Sequence, residues 1–193
     1  MMRALVLFAH PVESSFSAAL HEAVVERLAS RGWNVDDCDL YAEKFNPLLS
    51  REERLNYHDM EANRPPVASY IERLTEADAL VLVFPVWNFG YPAILKGFFD
   101  RVFLPGVSFR LVEGKVRPNL NNIGKLAAVA TYGGTRLRAM LAGDPPRKII
   151  TRTLRATCQA RKLRYLALYD MNRANEAKRS AFIERVEGEM GRF

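Results

Sequence analysis

The sequence predicts an α/β fold, a parallel sheet wound with helices on both faces, and three observations carry that reading. Ala4–Ala9 and Ala79–Phe84 are continuous apolar runs of strand length, which suits strands buried on both faces, and Leu126–Tyr132 reads as a further strand. Segments of helical period alternate with them. Each run is also followed directly by a turn rich in aromatic residues, serines or glycines, where open α/β sheets bind ligands.

The elements follow in order. Strand Ala4–Ala9 feeds an amphipathic helix reaching Ser30, whose buried face is Phe16, Leu20, Ala23, Val24 and Leu28. Strand Trp33–Asp39 is followed by a polar connection from Tyr41 to Pro66 and a helix over Val67–Thr75. After strand Ala79–Phe84 the chain turns at Pro85. A helix then starts near Tyr91, with Pro92 at its first position where the missing N–H costs nothing. Its apolar positions are Ile94, Leu95, Phe98, Phe99 and Val102. Strand Leu126–Tyr132, helix Arg147–Cys158, strand Leu163–Asp170 and helix Ala174–Met190 complete five strands alternating with five helices. The 193 residues suffice for one domain, spanning 1–193. The connection from Tyr41 is too long for an ordinary loop, so a lid or an intersubunit contact is expected of it. Gly97, inside a helix, signals close backbone packing.

Composition narrows the function classes. Cys38 and Cys158 are the only cysteines and form no CxxC, so buried thiols and a cytoplasmic setting are expected. His10, His21 and His58 lack metal-ligand spacing, and no metal is expected. The longest apolar runs are strand-sized, and neither a leader peptide nor an integral membrane segment is read. The formal charge of +6 is concentrated: Arg136–Arg164 holds nine basic residues against one acid, Asp144, so the remainder is net negative. A solvated face is the first reading of that run, attraction of phosphorylated partners the second, and no motif supports nucleic-acid binding.

Three strand-end segments hold candidate chemistry. After the third strand, Pro85, Val86, Trp87, Asn88 and Phe89 place rings and backbone amides where a planar ligand could sit, although a packed corner without ligand fits as well. After the first strand, the loop with His10, Ser15, Phe16 and Ser17 leads into a helix amino terminus, which suits an anion. A serine that only caps the helix is the plainer alternative. There is no glycine-rich dinucleotide fingerprint and no P-loop lysine. After the fourth strand, Thr131, Tyr132, Gly133 and Gly134 let the backbone approach a ligand closely, or simply turn.

Together these segments resemble the flavodoxin-like NAD(P)H:quinone oxidoreductases of the DT-diaphorase type. The resemblance rests on Phe84, Pro85 and the run Phe89-Gly90, then Pro92 to Phe98 and Asp100 to Phe103, with Ala9, His10, Ser15, Phe16, Ser17 and Leu20, and with the Thr-x-Gly-Gly at Thr131 to Gly134. It implies a three-layer, doubly wound flavodoxin-like fold with a five-stranded parallel sheet. It also implies a flavin, FAD or FMN, with NADH or NADPH as electron donor and a quinone-like acceptor. By resemblance Pro85, Val86, Trp87, Asn88 and Phe89 wrap the flavin ring, and His10, Ser15, Phe16 and Ser17 hold its phosphate. Thr131, Tyr132, Gly133 and Gly134 face its pyrimidine edge. One departure stands out: the tyrosine and histidine that such enzymes place after the paired glycines are absent, and Tyr132 is the candidate substitute for a catalytic role. An electron-carrying flavodoxin, or the regulatory flavoprotein subunit of a potassium-efflux system, is the alternative on the same fold.

Two further expectations concern partners. A homodimer is expected, partly by resemblance and partly because Phe98, Phe99 and Phe103 offer more aromatic surface than one sheet face covers. Arg136 or Arg138, next to the paired glycines, is expected to meet the 2′-phosphate of NADPH, with Lys148, Arg152 and Arg155 too far along their helix.

Overall fold

The computed structural model describes residues 1–193. Its main sheet consists of β1 (Arg3–Phe8), β2 (Asn34–Asp39), β3 (Ala79–Val86), β6 (Lys125–Tyr132) and β7 (Lys162–Leu168). The spatial order is β2-β1-β3-β6-β7, every pair parallel, so the doubly wound five-stranded sheet is present and the order reverses between β1 and β3. Helices α1 (Phe16–Ser30) and α8 (Glu176–Gly191) cover one face. Against the other lie α3 (Ala68–Glu76), α4 (Ala93–Val102), α5 (Arg136–Leu141) and a continuous element of α6 (Pro145–Lys148), a π-helical stretch (Ile149–Leu154) and α7 (Arg155–Cys158).

The two-residue alternation of strands sorts the core. Leu80, Leu82, Phe84 and Val86 of β3 join Leu126, Ala128, Ala130 and Tyr132 of β6 under the α4 side. Val81, Val83, Ala127 and Val129 pack under α1 and α8. The same parity aims Thr131 toward α1 and Tyr132 away from it.

Strand β3 runs two residues past its expected end at Phe84, through Pro85 to Val86. The Ala9 N–H donates to the Val83 carbonyl at 3.1 Å, so the backbone groups of Val83, and by alternation of Pro85, face the β1 side. There β1 has already ended at Phe8, and the N–H that proline lacks has nothing to bond. Helix α4 begins at Ala93 with Pro92 in the capping position, slightly later than the sequence suggested.

The connection from Tyr41 to Pro66 is a clamp over α4 rather than a lid. Phe45 is buried against Phe98 (ring centroids 5.5 Å) and Tyr70 (5.0 Å). A Cβ on Gly97 would lie 2.4 Å from the Pro47 carbonyl oxygen, so the glycine is required by this crossing, as its place in the helix implied. Beyond it, α2 (Arg51–Leu55) opens with a reciprocal cap between Ser50 and Glu53, and Glu53 receives the buried Arg101 guanidinium at 2.5 and 2.8 Å. Phe98 is therefore covered from within the chain, which removes it from the surface that was read as seeking a second copy. Phe99 and Phe103 remain half-buried.

A small hairpin, β4 (Phe109–Val112) and β5 (Lys115–Pro118), was not read from the sequence. Its strands are mostly exposed and lack an alternating pattern, and its turn uses Glu113 and Gly114 at positive φ rather than a commoner Asn-Gly pair. No helix is long and apolar enough to cross a membrane, and no group of three or more His, Cys, Asp or Glu side chains is arranged to hold a metal.

Candidate functional site

Along the carboxyl ends of β1, β3 and β6 lies an open cleft of about 240 Å³. It is lined by His10, Ser15, Phe16, Ser17, Pro85, Val86, Trp87, Thr131 and Gly133, all singled out from sequence. Met171 and Asn172, which follow β7, complete it and were missed. The strand-end rule, applied to β7 as to the other three strands, would have found them.

The first wall is the β1–α1 turn. Ser15 is the N-cap of α1, its Oγ accepting from the Ala18 N–H at 3.1 Å, so the plain capping role holds. Capping uses the oxygen as acceptor and leaves the hydroxyl proton free to donate. Phe16 and Ser17, the first helical residues, have no carbonyl one turn earlier to receive their N–H groups, and the dipole of this 15-residue helix favours an anion there. Ser17 is buried, with its Oγ 3.4 Å from Thr131 Oγ1. His10 accepts the Val12 N–H through Nδ1 at 3.1 Å, which leaves Nε2 as the donor of the neutral ring. Its ring meets Trp87 edge-on at 5.7 Å.

The second wall is a strained turn. Trp87 and Gly90 exchange backbone hydrogen bonds of 3.2 and 2.8 Å, and the two residues between them, Asn88 and Phe89, have φ of 48° and 58°. Positive φ is uncommon for asparagine and an outlier for phenylalanine. The turn holds the Trp87 and Phe89 side chains 41% and 42% exposed, so neither serves the core. Asn88 and Phe89 do not line the cleft.

The third wall divides the paired glycines. Gly133 lines the cleft, and a Cβ there would come within 3.3 Å of the Asn172 side chain. Gly134 lines an adjoining polar hollow with Thr135, Arg138, Asp170, Asn172 and Arg173.

Tyr132 requires a correction. Its side chain is buried on the opposite face of β6, where the hydroxyl donates to Asp144 Oδ1 at 2.7 Å and lies 2.6 Å from the Tyr165 hydroxyl. Burial first, then the Tyr165 and Asp144 oxygens, push its pKa far above that of free tyrosine. A group so engaged has no path to the cleft, and the catalytic role considered for it has no support in this geometry.

The arrangement fits a flat, phosphorylated ligand. Aromatic faces and main-chain amides suit a ring system, and the α1 terminus with two hydroxyls suits a phosphate. No lining side chain is positioned as a strong acid or base, so the chemistry such a site performs must come chiefly from its ligand.

Comparison with known proteins agrees. The profile of the flavodoxin-like fold family matches residues 2–190. NAD(P)H dehydrogenase [quinone] 1 of Cavia porcellus is 38% identical over 157 residues, covering 72% of this chain and 57% of that protein. The Escherichia coli (strain K12) protein called uncharacterized NAD(P)H oxidoreductase YcaK is 33% identical over 135 residues, 69% of this chain and 66% of that one. The chain thus spans little more than half the length of the mammalian quinone dehydrogenases it matches. Among solved structures, the NAD(P)H:quinone oxidoreductase from Methanothermobacter marburgensis superposes with a TM-score of 0.85 at 28% identity, over 98% of each chain. The chain accordingly belongs to the flavodoxin-like family, and the relatives it resembles within that family include NAD(P)H:quinone oxidoreductases.

Proposed function

We propose that residues 1–193 form a single flavin-binding domain that oxidises NADH or NADPH and reduces a quinone-like acceptor. The observation that carries this reading is the Trp87–Gly90 turn. It accepts two positive-φ residues in order to hold two half-exposed aromatic side chains beside a phosphate-type helix terminus. A packed corner would bury those rings. Bound there, a flavin supplies two-electron hydride chemistry. The chain's own contribution is binding and orientation. The amides of Phe16 and Ser17 and the Ser15 hydroxyl hold the phosphate, and the turn fixes the plane of the ring. The Gly133 amide, at the carboxyl end of β6, is a donor for developing negative charge at the ring edge. One face shared in turn by donor and acceptor gives ping-pong kinetics. A homodimer and a cytoplasmic setting belong to the same reading, with Phe99 and Phe103 as the half-buried aromatic surface available to a second copy.

The direct test is to purify the protein, release and identify its flavin as FAD or FMN, and assay NADH and NADPH oxidation with several quinones. Folded, colourless protein that takes up neither flavin sinks the reading. Ser15→Asp sharpens it: a carboxylate can still cap α1, since aspartate is as good an N-cap as serine. The variant should stay folded while like charge against the phosphate weakens flavin affinity by about tenfold or more. Unchanged affinity would reduce Ser15 to its cap.

A further inference from the structure

On the far side of α5 from the cleft is a second and larger cavity, about 380 Å³, that the chemistry above does not use. Arg136, Arg147, Lys148, Thr151, Arg152 and Tyr169 line it. Four cations thus converge on one hollow, and one carboxylate, Asp144, accompanies them.

The cations fall into two kinds. Arg147 is fixed: its Nε donates to Asp144 Oδ2 at 3.0 Å, its Nη2 to the Tyr169 hydroxyl at 2.9 Å, and its guanidinium carbon lies 4.2 Å from the Tyr165 ring centre. Asp144 is spent on this wall, its second oxygen taken by Tyr132. Arg136, Lys148 and Arg152 have no acidic partner. Three unpaired cations around a hollow repel one another, an arrangement that an anion relieves.

The backbone also departs from the ordinary here. Ile149–Leu154 is π-helical, a rare and wider winding that recurs at functional sites. Lys148 and Arg152 lie at its start and middle. Asp144, which precedes α6, takes φ of 44°. The sequence suggested that Lys148 and Arg152 lie too far along their helix to share a site with Arg136. The structure brings all three to one cavity and places Arg138 in the adjoining hollow instead.

We propose that this cavity binds a phosphate monoester, namely the 2′-phosphate of NADPH. The assignment to the donor rests on the proposed function and on position. Gly133 lines the cleft and Arg136 the cavity, so their Cα atoms are at most about 11 Å apart along three residues of chain. An extended dinucleotide whose nicotinamide lies in the cleft spans that distance. Guanidinium forks match a phosphate dianion through paired, charge-assisted hydrogen bonds. A free phosphate or pyrophosphate presents the same chemistry, so the experiment must separate the two sources.

The purified protein is titrated calorimetrically with adenosine 2′,5′-bisphosphate, adenosine 5′-monophosphate and inorganic pyrophosphate at low salt, as wild type, Arg136→Ala and Arg152→Glu, with Arg110→Glu of the exposed hairpin as control. KM values for NADPH and NADH are measured alongside. The bisphosphate should bind about tenfold tighter than the monophosphate, and this preference should vanish in Arg136→Ala and Arg152→Glu but persist in Arg110→Glu. KM for NADPH should rise about tenfold in the same two variants while that for NADH stays nearly level. Equal binding of the two adenosine phosphates by wild type, or an unchanged preference in both variants, overturns the site. Tight pyrophosphate binding with an unaltered NADPH to NADH ratio overturns the assignment to the donor. Selective bisphosphate binding by protein that oxidises neither nucleotide overturns the proposed function and leaves the cavity standing.

Discussion

At its amino end helix α4 follows a turn with two non-glycine residues at positive φ and two aromatic side chains facing solvent. A little over one turn later the same helix meets Pro47 so closely that Gly97 has no room for a Cβ. The first region departs from what an isolated chain prefers and the second is packed to backbone contact. One helix joins them, so the clamp holds in place the element from which the turn projects. Strain at a ligand site persists only where its surroundings over-determine it, and the crossing of Phe45, Pro47 and Glu53 over α4 supplies that. On the proposed function the difference separates residues kept for stability from residues kept for binding, and substitutions on the two sides should differ in what they change as well as in size.

The largest effect is expected on the clamped side. Arg101 is buried, bonded to Glu53 and to the Asn46 carbonyl. Arg101→Ala leaves a largely buried carboxylate unpaired and should cost about 3 kcal/mol in urea unfolding, with flavin affinity per folded molecule nearly unchanged. The pair also predicts a pH dependence. Burial alone would raise the Glu53 pKa, but the Ser50 N–H and the Arg101 guanidinium outweigh it and hold it below the usual carboxylate range. A depressed folded-state pKa gives stability that is complete above the unfolded-state value and is lost as pH falls through the folded one. Glu53→Gln should therefore flatten the acid limb of the stability profile. An unaltered limb would show that the pair contributes nothing there.

Gly97→Ala comes next. Overpacking against the Pro47 backbone should outweigh the gain of about 1 kcal/mol from alanine's helix propensity, for a net loss of about 1 to 2 kcal/mol. A stabilised variant, read by the urea midpoint, would mean that the connection yields easily and clamps nothing.

The fold was legible because its signals are local. Apolar runs of strand length and glycine or serine turns survive any arrangement of neighbours, and β1, β3 and β6 were placed within two residues at either end. Nine of the cleft's eleven lining residues are legible in the same way, since they lie at the ends of those strands or in the segments that follow them. What could not be read depends on chain segments far apart in sequence. The role of the Tyr41–Pro66 connection appears only where Pro47 meets Gly97 and Glu53 meets Arg101. Tyr132 looked like a site residue by its neighbours, yet the alternation of β6 sends it to the other face, where Asp144 and Tyr165 wait. Similarly, a stretch counted as one surface helix holds a π-helical segment that groups Lys148 and Arg152 with Arg136.

The smallest expected effect on stability is the one that divides the two regions most sharply, because binding should change far more than folding. Phe89 holds φ of 58° and is 42% exposed, so glycine there removes backbone strain while giving up the buried part of the ring. Relief of a left-handed phenylalanine is worth about 1 kcal/mol, offset by the greater freedom of glycine in the unfolded chain and by the apolar contact the ring gives up. Phe89→Gly should therefore lower the urea midpoint less than Gly97→Ala does, while flavin affinity falls because the turn loses one of its two exposed rings. Protein that is almost as stable and binds less is the signature of a residue kept for its ligand. A stability loss approaching that of Arg101→Ala would instead show that the ring is packed into the fold, and the turn would then be the plain structural corner that its sequence also allowed.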